Sequence, residues 1–357
     1  MGATTLFVMT ANAGVAAEVD EATLLPALRA GDERAFQRLT DRYRRELLVH
    51  CYRMLGSFHD AEDVLQETLL RAWRGLESFE GRSALRPWLY KIATNACLDV
   101  LASRRRRALP NATHPPADAG TAMPGPVVDP LWLEPIPDTL IDLRPGVNPE
   151  AHFDAYESVT LAFLATLQTL PARQRATLIL RDVLGWKATE VAELLETSVA
   201  AVTSALQRAR ASMKSYQAGR TTSDSPADPE QTAALLSRYV DAWQAADAAG
   251  LVALLREDAL ITMPPLPLWY RGRAAIQWFF GTQLFNGDAR DRFRLVATHA
   301  NGSPAFATYQ RDQAGTYRLG ALQVLTVEGG RVAEIHDFLA MGDPRFPGFD
   351  LPPALTD

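Results

Sequence analysis

The sequence predicts a multidomain chain: two all-α domains followed by an α+β domain. Three observations predict it. Apolar residues recur at helical spacing over 24–107 and again over 153–216. Between these blocks prolines recur from Pro110 to Pro149, with Gly120, Gly125 and Gly146 among them, and no period survives. Beyond residue 231 one helical pattern gives way to alternating, β-rich stretches. A chain of 357 residues is also too long for one ordinary domain, and 47% apolar with 22% charged residues is the composition of a soluble globular protein.

In chain order, residues 1–23 read as a flexible N-terminal tail. They hold three acids and no Lys or Arg, and their apolar run is too short and interrupted for a signal peptide. No run of about 18 apolar residues occurs, so no membrane partner is expected and the protein is placed in the cytoplasm. Cys51 and Cys97 are too few for a disulfide framework and read as buried small hydrophobes in a reducing compartment. The expected division is 24–107 as the first helical domain, 108–152 as an acidic linker and 153–218 as the second helical domain. A second linker at 219–230, an α+β domain at 231–345 and a tail at 346–357 follow.

Charge is unevenly spread along this plan. The total of 36 Lys+Arg against 42 Asp+Glu gives −6, yet residues 24–110 carry +5 and residues 158–220 carry +4. Residues 111–157 between them carry −7. Two basic blocks inside an acidic chain point to nucleic-acid binding by those blocks.

Within the first block, DAEDVLQETLLRAWR (60–74) opens with Asp60 as expected N-cap and buries Ala61, Val64, Leu65, Leu69, Ala72 and Trp73. The opposite face, with Glu62, Asp63, Gln66, Glu67 and Arg71, is mostly acidic and suits a basic protein partner more than DNA; a merely solvated face is the alternative. A loop with Phe79, Gly81, Arg82 and Ser83 follows, then a helix beginning near Pro87. Trp88 and Leu89 face inward, whereas Arg82, Arg86, Lys91 and Asn95 lie on or near an outer edge. Aromatic and amide groups beside cations are what a single strand needs for stacking, base hydrogen bonds and phosphate neutralisation. Arg104 to Arg107 close the helix, where they suit phosphates or the helix dipole.

The stretch LPARQRATLILRDVLGW (170–186) supplies a packed helix ahead of a helix pair. ATEVAELL (188–195) turns inward on Val191, Ala192, Leu194 and Leu195, and after Glu196 either Thr197 or Ser198 caps the second helix. Val199, Val202, Leu206 and Met213 are expected on its core stripe. Ala200, Thr203, Ser204, Gln207, Arg208 and Ala211 form the other face, small near the start and able to read base edges or hold phosphates farther on. A packed pair with a wet face is the plainer reading of the same pattern.

The ordered set DAEDVLQETLLRAWR, FEGRSALRPWLYKIATNACLD, LPARQRATLILRDVLGW and SVAAVTSALQRAR resembles regions 2 and 4 of an extracytoplasmic-function sigma factor of the sigma-70 family. The resemblance covers about 24–107 and 153–216. It implies a region 2 helical bundle, a region 4 helix-turn-helix, and binding to core RNA polymerase through the β′ clamp coiled coil and the β flap. By the same resemblance Asp60, Glu62, Asp63, Gln66 and Glu67 contact polymerase. Phe79, Arg82, Ser83, Arg86, Trp88, Lys91 and Asn95 hold the −10 promoter element as a single strand, and Ser198, Ala200, Thr203, Ser204, Gln207 and Arg208 read the −35 element in duplex DNA. Thr203 stands where many relatives carry a basic residue, which leaves this helix leaning on polymerase for affinity. The −7 of residues 111–157 fits a segment passing through channels that otherwise hold nucleic acid, and DPLWLEPIPD (129–138) is apolar enough to dock on a domain.

The remaining stretch runs from a long helix (235–255) through Trp269, Trp278, Phe279 and Phe280 to RFRLVATHA, GALQVLTVE and RVAEIHDFLA. EGG (328–330) before the last of these is a hairpin signal. The order resembles a SnoaL-like domain, a curved sheet wrapped by helices into a cone, in which some relatives use an Asp or His as acid/base. His336 and Asp337 are adjacent in one strand and so point to opposite faces, which rules out a simple pair. His299, Tyr309 and Asp312 are the other polar candidates. No catalytic residue, metal or cofactor is assigned, and the domain is expected to contact and regulate the sigma domains. The competing readings are a ligand-responsive helix-turn-helix repressor acting without polymerase and an enzyme housed in the cone.

Overall fold

The structure is a computed structural model and describes residue 28 and residues 32–76, 84–103, 106–127, 131–141, 157–217, 228–287, 289–341 and 346–355. Helices α1 (Glu33–Leu55), α2 (Phe58–Gly75) and α3 (Leu85–Ser103) form the first domain. The Asp32 carboxylate accepts the N–H groups of Arg34 and Ala35 and starts α1. Gly56 ends it at φ +69°, where a Cβ would come 2.6 Å from the Leu133 side chain. Glycine therefore serves both the left-handed cap and the close passage of the linker. The N-cap of α2 is Ser57, whose hydroxyl accepts the Asp60 N–H at 3.1 Å, not Asp60 as the sequence pattern suggested. Cys51 and Cys97 are free and fully buried.

The described part of the linker is paired and packed. Its first strand, β1 (Arg107–Ala108), pairs in parallel with β2 (Leu131–Trp132), and a single helical turn, α4 (Pro110–Thr113), follows β1. Leu133 and Ile136 are buried, so the apolar patch in this otherwise polar tether is an anchor. The second domain comprises α5 (Leu161–Thr169), α6 (Ala172–Leu178, extended by a π-turn through Val183), α7 (Ala188–Leu194) and α8 (Val199–Gln217).

The C-terminal domain begins with α9 (Pro229–Gln244) and α10 (Ala248–Ala253). It continues through β3 (Leu255–Thr262), β4 (Trp269–Arg271), α11 (Arg273–Phe279), β5 (Phe293–Ala300), β6 (Ser303–Arg311), β7 (Tyr317–Glu328) and β8 (Arg331–Leu339). The sheet order is β4-β3-β8-β7-β6-β5; β3 and β8 run parallel, their neighbours antiparallel, and a short β9 (Ala354–Leu355) joins β7. Gly329 and Gly330, at φ +56° and +70°, make the two-residue turn between β7 and β8.

Two faces of this sheet do different work. The inner face, with Phe306, Leu325 and Ile335, closes on α9 to α11 around Trp243, whose ring lies 5.3–5.5 Å edge-on from Phe280, Phe285 and Phe293. The outer face contributes Ala305, Leu322, Val324 and Phe338 to one continuous core with the helical domains and linker. That shared core makes a single packed body of the described parts, since an exposed apolar face of this kind would otherwise meet water.

Candidate nucleic-acid and polymerase interfaces

Helix α8 is seated by Val202, Leu206, Ala209 and Met213, all at most 8% exposed. The Ser198 hydroxyl accepts the Ala201 N–H and caps it, after Glu196 turns the chain at φ +51°. Ser198, Ala200, Thr203, Gln207 and Arg208 face solvent, and half-buried Ser204 accepts a 2.6 Å hydrogen bond from Arg208. Arg210 is tied to Asp182 through two bonds of 2.7 and 2.8 Å. Val199 departs from the expected core stripe: it is 43% exposed, because the partner helices underlie α8 only from Val202 onward. An aliphatic group thus joins the outward face at the helix start.

On α2, Asp63 and Gln66 are exposed and Glu62 and Glu67 half-buried, with Glu67 accepting from Arg71 at 2.7 Å. Leu70 lies on the same helix 51% exposed. Asp60 is a correction to the sequence reading: it is buried and bonded to Arg107 at 2.6 Å, because the linker crosses the start of α2. Arg107 also meets Glu134 at 3.2 Å, and Glu134 in turn accepts from the backbone and ring of His59. Burial alone would raise the Glu134 carboxyl, but the His59 hydrogen bond and the Arg107 charge outweigh it and hold the carboxyl below its usual range. The hydrogen bond to Glu134 raises His59.

Phe79, Arg82 and Ser83 lie outside the described residues. Of the other −10 candidates, Asn95 is exposed and Trp88 is half-buried over Gly75. Arg86 is not an open edge cation: it forks onto Glu46 at 2.9–3.1 Å and lies 5.1 and 6.0 Å over the rings of Tyr90 and Trp186. Lys91 is bonded to Glu196 at 2.8 Å. Both are held by contacts with or beside the second helical domain, which the linear pattern could not reveal.

The domains are joined by further bonds that no motif announced. Arg53 donates to Ser158 at 2.7 Å, buried Arg175 donates to the Met54 carbonyl, and Tyr90 packs on Trp186 at 5.2 Å. Asn301, fully buried at the tip of the β5–β6 hairpin, bonds three segments at once. Its amide donates to the Tyr52 hydroxyl and the Val159 carbonyl, each at 2.7 Å, and its carbonyl accepts the Ile136 N–H at 3.1 Å. The Tyr52 hydroxyl in turn donates a hydrogen bond to the Glu134 backbone carbonyl at 2.7 Å, and burial pushes that phenol well above its ordinary range. Asn-Gly at 301–302 is a strong hairpin signal in the sequence, but nothing there says what the tip touches.

In the C-terminal domain His336 lies on the outer face, bonded to Thr262 at 2.9 Å and Glu334 at 3.2 Å. Asp337 lies opposite Gln323 on the inner face, and burial pushes its carboxyl up to about 7. Tyr309 is buried with its hydroxyl on the Pro352 carbonyl, Asp312 pairs with Arg318, and His299 is exposed. These groups converge on no common point. Aromatic rings fill the inside of the curve.

Three family models match the chain: Sigma-70 region 2 at residues 39–107, Sigma-70, region 4 at 160–213, and the SnoaL-like domain at 236–335. The ECF RNA polymerase sigma factor SigG of Mycobacterium tuberculosis (strain ATCC 25618 / H37Rv) is 45% identical over 330 residues, covering 92% of this chain and 86% of its own. The ECF RNA polymerase sigma factor SigW of Bacillus subtilis (strain 168) is 30% identical over 189 residues, 52% of this chain and 91% of its own. The crystal structure of the Mycobacterium tuberculosis extracytoplasmic function sigma factor SigJ has a TM-score of 0.55 at 24% identity, covering 88% of this chain and 99% of that one, which speaks to fold.

Proposed function

Because the chain belongs to the extracytoplasmic-function RNA polymerase sigma factors, we propose that it directs promoter-specific initiation and is held in a closed, resting arrangement by its C-terminal domain. The repressor alternative is not favoured, since both sigma regions match in order. Acting beside core polymerase in the cytoplasm, α2 offers Glu62, Asp63, Gln66 and Glu67 to the β′ coiled coil, and the β flap is the expected second contact. Region 2 holds the −10 strand through Asn95, Trp88 and the preceding loop. Helix α8 reads the −35 duplex with Ser198, Ala200, Thr203, Ser204, Gln207 and Arg208. Regulation, not turnover, is the role we assign to the SnoaL-like domain.

The observation that carries the closed-state reading is the Lys91–Glu196 pair at 2.8 Å. It joins a −10 candidate to a residue two positions before the −35 candidate Ser198, and two residues of chain span at most about 7 Å. The two promoter elements lie about 25 base pairs apart, roughly 85 Å of duplex at 3.4 Å per step. One molecule in this arrangement therefore serves one element at most. Lys91 becomes available to a single strand only when region 4 leaves region 2, and Arg86 then loses Trp186 but keeps Glu46. The Asn301 contacts to Tyr52, Ile136 and Val159 support the C-terminal domain as the clasp.

The test is transcription reconstituted with core polymerase, wild type beside Asn301→Gly. The expected result is initiation by both, with half-maximal activity at lower sigma concentration for the variant. Failure to bind core or to initiate at any promoter overturns the sigma reading. Equal concentration dependence overturns the clasp alone.

A further inference from the structure

A cleft of about 600 Å³ opens where region 2, the linker and the C-terminal domain meet. Phe58 of α2, Trp132 and Leu133 of the linker, and Phe338, Phe346 and Phe349 of the C-terminal domain build its apolar walls. Met341, 51% exposed, is also on the lining. The volume lies within the range of small-molecule sites.

Among the described residues of the lining, ionisable side chains stand at one end only: His59, Arg107 and Glu134. Their charges are spent on one another. Arg107 divides its guanidinium between Asp60 at 2.6 Å, Glu134 at 3.2 Å and the Trp132 carbonyl at 2.6 Å. Glu134 gives its other oxygen to His59 Nδ1 at 3.1 Å and the His59 N–H at 3.2 Å. A charged ligand would lose its hydration here and find no free counter-charge among the described lining residues. A phosphate, nucleotide or fatty carboxylate is therefore a poor fit. With Nδ1 engaged by Glu134, the largely exposed His59 ring on the lining keeps its Nε2 for a ligand's hydroxyl or carbonyl.

We propose that this cleft is a binding site for an uncharged, mostly apolar, ring-based small molecule that carries a hydroxyl or carbonyl at its His59 end. An occupant touches all three parts at once, so it binds the closed arrangement in preference to any state in which the walls have parted. This second statement rests on the closed-state reading above; the site itself does not.

The experiment uses the full chain and Nile red, a neutral polarity-sensitive dye. Wild type is expected to bind it saturably, near one per chain, with blue-shifted emission. Ala340→Trp fills the cleft from the C-terminal side and is expected to weaken binding at least tenfold with its melting temperature unchanged. Val127→Trp does so from the linker and serves if the first variant fails to fold. Dye uptake that does not saturate near one per chain, or that is equal in the filled variants, overturns the site. Adding core polymerase is expected to release the dye; retention on the polymerase-bound protein overturns the coupling and leaves the site standing.

Discussion

Asn301 gathers three of the hydrogen bonds between the C-terminal domain and the rest of the chain in one side chain. Its backbone sits at φ +55°, so glycine is the substitution that removes the amide without adding strain. Asn301→Gly leaves the Ile136 N–H and the Val159 carbonyl short of partners in a buried site. The expected loss is roughly 2–4 kcal/mol of unfolding free energy, read by urea denaturation. Asp337 shows the opposite behaviour. Its folded-state carboxyl is raised to about 7 by burial, against an unfolded value of about 3.9. Its stabilising share is thus complete below the unfolded value and is lost as pH rises through the folded one. Asp337→Asn is expected to melt with the wild type at pH 4 and above it at pH 8, by several degrees. A gap of equal size at both pH values would show that ionisation is not its cause.

Among the elements, α8 and α2 show how much of a site a helical pattern discloses. The period gave the buried stripes Val202–Leu206–Met213 and Ala61–Val64–Leu65 and, by subtraction, the outward faces. It misjudged the ends. Val199 overhangs its partners, and Asp60 lies under the crossing linker, because burial at a helix terminus depends on what arrives from elsewhere in the chain. Helix α8 yields a prediction of its own. Arg208→Ala and Gln207→Ala are each expected to weaken holoenzyme binding by about 1–3 kcal/mol at a promoter they read, five- to 150-fold in affinity. Only the arginine change should also flatten the salt dependence, since it alone removes a cation. Both variants should bind core polymerase as the wild type does, measured by competition against a labelled sigma.

For the whole molecule, the outer face of the sheet shares one core with both sigma regions. Residues 219–227 lie outside the described residues, so the coupling is read from the packed faces. Fluorophores placed on exposed positions of α2 and α8 are expected to show high energy transfer in the free chain and a marked fall on binding core polymerase. Asn301→Gly should lower the transfer of the free chain. Unchanged transfer on polymerase binding would mean that the compact arrangement persists in the holoenzyme. The linker also gains a concrete role: it threads between domains, with Ala117 and Val127 bonded to the Trp269 and Pro265 carbonyls, and its apolar anchor is where the cleft forms.

The sequence by itself determined the fold class, the order of region 2, region 4 and the SnoaL-like domain, the outward face of α8 from Ala200 to Arg208, and the opposition of His336 and Asp337. The fold class, the outward face and the opposition follow from periods of 3.6 and 2, and the named domains from the resemblance of their ordered motifs; all are local properties of the chain. The tertiary structure alone decided the partners: Arg86 and Lys91 engaged between the sigma regions, Asp60 claimed by Arg107, and Asn301 joining three segments. These pairings join residues up to 249 positions apart. A linear pattern tells which side chains face outward from an element, but only the packing of elements fixes whether water, DNA or another part of the same chain lies there.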